Sequence, residues 1–333
     1  MTKTKITAEI IADSMYDGNP DHRVTTMLLT FPRHILAELN THRAFSRNSA
    51  SSRAIPFNKM VQAIKDDPFI PIAWQKDHKG MQGTEYITED FVYNEVRATW
   101  RCARDRAVHE ATNLNRLGVT KQLCNRLLEP FMWHKVIVTS TDWQNFFDLR
   151  CPQYMSTDDV PVFYKSKKDY VNAITNLTDQ QKLELYNDED YWQFCNKGQA
   201  EIHMMALAEA MWDAYNENIP DPLRTLYDYH IPFKSKLKTM PGWHDLSWKD
   251  QIKVSTAMCA RVSYTTIGEE KEINFDKLIQ IHDSMAAAKP FHASPFEHCC
   301  SPHTIDSIYF YNLKGWISYR YELEHPGPFP MTN

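Results

Sequence analysis

The chain has 333 residues, 43% hydrophobic and 24% charged, enough apolar material for a core that needs no disulfide or metal staple. Its formal net charge of −5 excludes recruitment of nucleic acid or anionic membrane by a global field, so an anionic ligand needs a local cluster of arginines. No apolar run spans a bilayer, no signal-peptide pattern opens the sequence, and seven cysteines without a C-x-x-C pair argue against a disulfide framework, which predicts a cytoplasmic protein.

Taken in order, the β-branched and apolar runs at 6–12 and 24–31, parted by Gly18-Asn19-Pro20, predict two strands. Pro32 suits a helix start, and the stretch to Arg43 has room for about three turns. Residues 44–56, rich in Ser, Arg and Asn and closed by Pro56, read as a loop. Val92, Val96, Trp100, Ala103, Ala107, Ala111 and Leu114 recur at helical spacing, so a long helix is predicted over 88–116, stopped by Gly118. Residues 136–139 read as a short buried segment, and Asp142 as the cap of a helix carrying Asn145 and Arg150. The polar, tyrosine-rich stretch 151–197 has no clear period before about 179, which predicts a surface insertion in a single catalytic domain spanning 1–333. Helices follow at 200–216 and 276–288, and a strand at 307–311. Glycine is scarce and no G-x-G-x-x-G occurs, so a dinucleotide would bind outside a Rossmann fold. The predicted class is α+β: a twisted, mainly antiparallel sheet packed with long helices.

The segment from Thr41 to Arg53 places Arg43, Arg47 and Arg53 among serines with little apolar content. Guanidinium groups offer bidentate donors to phosphate, and hydroxyls with loop amides complete an anion site. From composition alone a solvated polar loop is as good a reading. The spacing decides between them. Thr41-His42-Arg43, residues 44–50 and then Ser51 resemble the signature of flavin-dependent thymidylate synthases, Arg-His-Arg, seven residues, Ser; Asn48 and Arg53 match as well. Thr41 replaces the first arginine, Ser49 stands where glutamate is common, Ala54 where tyrosine is, and Glu38 where a nucleotide-binding glutamine is usual.

Asn145 and Arg150 lie five residues apart, about 140° around a helix after one full turn, so they face different sides. In the family a Leu-Arg is followed by Ala-Gln-x-Glu-Ile; here Leu149-Arg150 and Gly198-Gln199-Ala200-Glu201-Ile202 are separated by 151–197. Lys121 to Arg126 resembles the segment that supplies another substrate arginine; strict alignment puts Asn125 there, and Arg126 is preferred for the phosphate. Cys259-Ala-Arg-Val-Ser263-Tyr264 and His292-Ala-Ser-Pro-Phe-Glu-His298 resemble segments that precede the arginine–serine motif in most members but follow it here. The order is therefore read as circularly permuted, as in longer bacteriophage members. Such an order requires His298 near the start of the 24–31 strand and Ser294 near His42. It also requires a tail at 299–333 beside that strand, anchored by Gly315-Trp316, and a common cavity for Ser294, Asn145 and 41–53, within one subunit or across an interface.

The resemblance implies a flavin-dependent thymidylate synthase-like fold, a homotetramer with shared active sites, and conversion of dUMP to dTMP with FAD, NADPH and methylenetetrahydrofolate. Thr41, His42, Arg43, Ser49, Asn145, Ser263, His292 and Ser294 would contact FAD. Glu38, Ser49, Ala50, Ser51, Ser52, Arg53, Arg126 and Arg150 would hold dUMP. Arg150 and Ser51 would serve catalysis, Arg150 by stabilising charge on the pyrimidine and Ser51 by hydrogen bonding. A pyrimidine-nucleotide hydroxymethylase on the same scaffold and a catalytically silent nucleotide- or flavin-binding protein are the alternatives. His292, His298, Cys299, Cys300 and His303 form a His/Cys cluster, but its spacing matches no usual paired-ligand pattern and no metal is expected. Cys151 beside Arg150 is the one cysteine with a feature that would activate a thiolate, a nucleophile the flavin-dependent reaction does not need.

Overall fold

The computed structural model describes residues 6–79, 83, 85–157, 159–264 and 273–326. β1 (Thr7–Tyr16) and β2 (Arg23–Pro32) form an antiparallel hairpin with a register shift between Ile10 and Ala12. Past Pro32 the expected three-turn helix is only a 3₁₀ turn at Arg33–Ile35 and one α-turn, α1 (Leu36–Leu39). The helix stops because the Thr41 hydroxyl bonds back to the Glu38 carbonyl at 2.7 Å and Arg47 takes the Leu39 and His42 carbonyls.

The predicted loop at 44–56 contains a strand, β3 (Ser46–Ser49), in antiparallel register with β4 (Trp133–Ser140). Its inward residues are polar: Ser46 and Asn48 are buried, while Arg47 and Ser49 are half-exposed. The period of two is present but is invisible to a hydrophobicity pattern. Between these strands lie α2 (Phe57–Asp66), α3 (Asp90–Arg116) and α4 (Lys121–Arg126). α3 matches its predicted span, and Gly118 follows at φ +84, a left-handed position that ends the helix without steric cost.

α5 (Gln144–Arg150) starts from Trp143; Asp142 does not cap it, its own N–H being taken by the Ser140 hydroxyl. The 151–197 stretch holds a two-stranded hairpin, β5 (Tyr154–Met155) with β6 (Phe163–Tyr164), and three helices, α6 (Lys167–Ala173), α7 (Asp179–Tyr186) and α8 (Glu189–Cys195). α6 lies where no period was legible; Ser166 caps it by accepting the Asp169 N–H. Tyr154, Tyr170, Val171, Trp192 and Cys195 give this stretch its own apolar cluster.

α9 (Ile202–Glu217) leads to β7 (Asp221–Leu223), which pairs parallel with β1. The main sheet therefore has the order β3-β4-β2-β1-β7, antiparallel except at β7, and the protein is a mixed α/β structure rich in antiparallel pairing. α10 (Lys234–Leu237), α11 (Trp248–Arg261) and α12 (Phe275–Ala287) follow. Then come β8 (Cys300–Pro302), β9 (Tyr309–Phe310), β10 (Leu313–Lys314), β11 (Trp316–Ser318) and α13 (Tyr319–Glu324). The strand expected over 307–311 is thus only β9, in a short hairpin with β10.

Both faces of the sheet are covered. Met27, Leu29, Phe31, Val136 and Val138 pack on Phe146 and Phe147 of α5 and on Met204, Leu207 and Met211 of α9. Ile11 and Ile137 face the other way, onto Cys259 and Val262. This is why 136–139 reads as an unbroken apolar run rather than an alternating one. Each such side chain contributes about 1.5–3 kcal/mol by leaving water.

The described part of the tail, through residue 326, packs beside the start of β2, as the permuted order requires. Trp316 is buried with Val24, Cys300 and Leu313, and His298 donates to or accepts from Thr139, which bonds Thr26 near the start of β2. Gly315 sits at φ +72, and a Cβ there would meet His22 Nε2 at 2.8 Å and Asp306 backbone at 2.9 Å. Only glycine fits that position.

Candidate active site

α5 ends against the turn that follows α1. Arg150 Nε donates to His42 Nε2 at 3.1 Å, and its Nη1 lies 3.7 Å from Glu38 Oε2. His42 is buried against Phe45 and Phe146. Burial, then the Arg150 and Arg47 charges, push its pKa down, so the ring is neutral at pH 7 and accepts through Nε2. Burial and the Glu201 charge raise the Glu38 pKa against the pull of Arg150. Arg150 is therefore aimed by a neutral ring and only loosely held by a carboxylate.

Around the helix from Arg150, Asn145 is exposed into a pocket of about 140 Å³ lined by Thr41, His42, Arg43, Ala44, Phe45, Asp142 and Phe146. Arg43 and Arg53 are exposed and make no ion pair among the described residues. Arg47, the remaining arginine of the motif, is spent on backbone carbonyls.

The C-terminal segments meet β3 from its other side. The Asn48 side chain donates to the Cys259 carbonyl at 2.6 Å and accepts from the hydroxyls of Ser294 at 3.1 Å and Ser263 at 3.4 Å. The Ser51 N–H donates to the Ser263 carbonyl at 2.9 Å. Ser294 thus lands on Asn48 and not, as expected, on His42. Within one chain Ser263, His292 and Ser294 do not line the pocket that holds Asn145. His292 is exposed.

Downstream of β3 the loop is fastened to the sheet edge. The buried Ala50 N–H donates to Lys135 O at 2.8 Å, and the Ser49 hydroxyl lies 3.3 Å from His134 Nε2. Arg33 Nη1 donates to the same His134 Nε2 at 2.9 Å. Burial, then the Arg33 charge, takes His134 down to about 3. Glu129 accepts from the Ser52 hydroxyl at 2.6 Å and from Arg126 Nη1 at 2.9 Å, with Arg33 Nη2 at 3.6 Å. Arg126 is otherwise exposed. No motif flagged Arg33, Glu129 or His134, because each acts through a partner distant in sequence.

Asn125, which strict alignment put at the position of a substrate arginine, is fully buried and donates to the carbonyls of Ser52 at 2.7 Å and Ile55 at 3.1 Å. It is a backbone staple for the loop, both of its bonds made by the amide nitrogen. Asn125→Ala leaves two buried carbonyls without donors and is expected to cost about 2 kcal/mol, read as a shift in urea midpoint at unchanged slope. A variant within a few tenths of wild type would show that water replaces the amide freely.

Glu201 caps α9, accepting from the N–H groups of His203 and Met204. Burial raises its pKa, but the hydrogen bonds from His203, His34 and the Met204 N–H outweigh this and bring it to about 2. Ligand atoms of His34, Glu201 and His203 lie within 4.8 Å of one another, the kind of cluster that holds a metal. However, His203 Nε2 accepts from the Ile72 N–H at 3.1 Å, which places the ring proton on Nδ1, the atom turned to Glu201. The trio is a helix cap closed by a hydrogen bond from the His203 Nδ1–H to the Glu201 carboxylate as it stands. Gln199 is exposed and donates to Lys197 O.

The His/Cys cluster at 292–303 does not converge among the described residues. Cys299 faces Ser255 and Thr256, Cys300 packs beside Trp316, His298 bonds Thr139 and His303 meets Ile305. Cys151 is buried, and burial holds its thiol far above the usual range, which leaves no thiolate for attack. No helix among the described residues is long and apolar enough to cross a membrane.

No protein-family model matches the chain, and no curated protein does. Among solved structures it is similar to the UMP/dUMP methylase PolB from Streptomyces cacaoi bound with 5-Br dUMP, at 12% identity and a TM-score of 0.42 over 65% of this chain and 92% of that one. The same enzyme bound with 5-Br UMP gives 16% identity and a TM-score of 0.41 over 65% and 90%. At these values the likeness transfers no activity to this chain.

Proposed function

We propose that this protein is a flavin-dependent thymidylate synthase that converts dUMP to dTMP, with methylenetetrahydrofolate as one-carbon donor. The observation that carries the reading is the meeting of Arg150 with His42 and Glu38, from sequence segments independently singled out by the family resemblance. The convergence of Ser263 and Ser294 on Asn48 supports it, since those segments stand at the far end of the chain.

Arg150 would face the pyrimidine, its direction set by His42, and stabilise negative charge on the ring. Ser49, Ala50, Ser51, Ser52 and Arg53 would hold the nucleotide by amide, hydroxyl and guanidinium donors, with Arg126 on the phosphate. The exposed Arg43 and Asn145 suit one anionic, hydrogen-bonding portion of FAD, and Thr41 and His42 complete that wall. A pocket of about 140 Å³ is too small for a whole dinucleotide, since ligand pockets usually measure about 300–1,000 Å³. The remainder, including Ser263, His292 and Ser294, would be supplied across a subunit boundary, which favours a homotetramer with shared sites. FAD bound there would pass on the hydride from NADPH that completes the methyl group.

Protein saturated with FAD should keep a flavin spectrum through gel filtration, lose it on addition of NADPH, and form dTMP from dUMP and methylenetetrahydrofolate. Absence of bound flavin would sink the reading. Flavin bound without dTMP formed would favour a hydroxymethylase or a silent binder; Glu38 beside Arg150, a carboxylate in place of an amide, is the feature that speaks for a different pyrimidine or product.

A further inference from the structure

We infer that Glu129 occupies the phosphate subsite of the nucleotide as an internal anion, and that Arg33, outside every motif, is a ligand of that phosphate. The inference rests on the nucleotide reading above. One carboxylate oxygen of Glu129 faces the Ser52 hydroxyl at 2.6 Å, Arg126 Nη1 at 2.9 Å and Arg33 Nη2 at 3.6 Å. A hydroxyl and two guanidinium groups converging on one oxygen are the donor set a phosphate oxygen takes.

The charges do not balance with Glu129 alone. Arg33 and Arg126 bring two positive charges and Glu129 one negative. The other partner of Arg33, His134, is neutral and contributes no charge. Burial pulls the Arg33 pKa down, the mark of a cation that lacks full compensation. A phosphate monoester carries about −1.5 to −2 at pH 7, so exchanging it for the carboxylate would neutralise both arginines.

The geometry allows that exchange. Arg33 is fixed at its base, its N–H donating to Met132 O at 3.0 Å, and its Nη1 is held by His134. Glu129 opens the 3₁₀ turn Glu129–Phe131, whose Pro130 and buried Phe131 hold the backbone. Only the Glu129 side chain, 19% exposed, has to swing outward. The arginines and Ser52 stay in place, preorganised by the carboxylate they give up.

The test is binding of inorganic phosphate, dUMP and deoxyuridine to the full chain by calorimetry. Glu129→Gln should tighten phosphate and dUMP by about tenfold, the effect of removing one competing charge, and leave deoxyuridine unchanged. Arg33→Gln should weaken phosphate and dUMP by about tenfold and again spare deoxyuridine. Glu129→Asp, which keeps the charge but shortens the reach, should fall between wild type and Glu129→Gln and covers the case of a poorly folding amide variant. Weaker or unchanged phosphate binding in folded Glu129→Gln would overturn the inference, because Glu129 would then only brace Ser52 and Arg126. If wild type binds phosphate but neither dUMP nor deoxyuridine, the nucleotide reading fails while the phosphate arm still decides the role of Glu129.

Discussion

If the proposed reading holds, Arg150→Ala should lower turnover by about 10²–10³-fold while flavin binding survives, because the guanidinium would face the pyrimidine and does not line the pocket around Asn145. The size follows from what an oriented cation does in a part-buried site. Its orientation is fixed before reaction by His42, so little reorganisation is needed as charge develops. A second readout separates this from a structural defect. The Arg150 charge is one cause of the depressed His42 pKa, so the His42 ring should titrate at higher pH in the variant. Single-turnover kinetics and an NMR titration of His42 would measure the two effects. Near-normal turnover in a folded, flavin-loaded Arg150→Ala protein would remove Arg150 from the chemistry.

The share of stability that depends on Glu209 should fall as pH rises from about 4.5 to 7, so Glu209→Gln should gain on wild type across that window, against the opposite slope that the buried neutral His42 and His134 contribute. Glu209 lies on α9 and fastens 151–197: it accepts from the Lys167 N–H at 2.7 Å and the Tyr154 hydroxyl at 3.1 Å. Burial raises its pKa to about 7; the Lys167 contacts oppose this and Asp213 adds to it. A carboxyl that binds its proton more tightly in the folded chain contributes stability that is complete below its unfolded pKa and lost as pH passes through the folded value. The window is therefore about 4.5 to 7, and the full shift is worth at most about 3 kcal/mol. Asp213, raised by burial to about 6, adds a smaller loss of the same sign. The amide variant resembles the protonated acid at every pH and should be the more stable protein at pH 8. Chemical denaturation of both proteins between pH 5 and 8.5 checks this; parallel curves would mean that Glu209 is solvated and the docking of 151–197 is independent of its charge.

Much of the secondary structure was legible because burial and periodicity coincide. The β-branched runs of β1 and β2 leave a signal in the residues themselves, and α3 shows its helical recurrence although only Val108 and Ala111 of it are buried. β3 left none, because its buried side chains, Ser46 and Asn48, are polar and are satisfied by other segments. α6 was missed for a related reason: its cap, Ser166, carries little signal without the helix register, and only Tyr170 and Val171 are buried.

The candidate site divides the same way. The sequence by itself singled out the residues proposed for the chemistry: arginines and hydroxyls around Thr41–Arg53, the Asn145/Arg150 pair, and serines at 263 and 294. Only the tertiary structure decided how the arginines are engaged: Arg47 is spent on backbone carbonyls and Arg126 is paired with Glu129, while Arg43 and Arg53 stay exposed. It likewise brought in Arg33, His134 and Glu129, and made Asn125, passed over for Arg126 in the sequence, a staple of the loop backbone. The physical reason is that a side chain's type is local, whereas its remaining valence depends on which partners the sheet and the returning C-terminal segments place beside it.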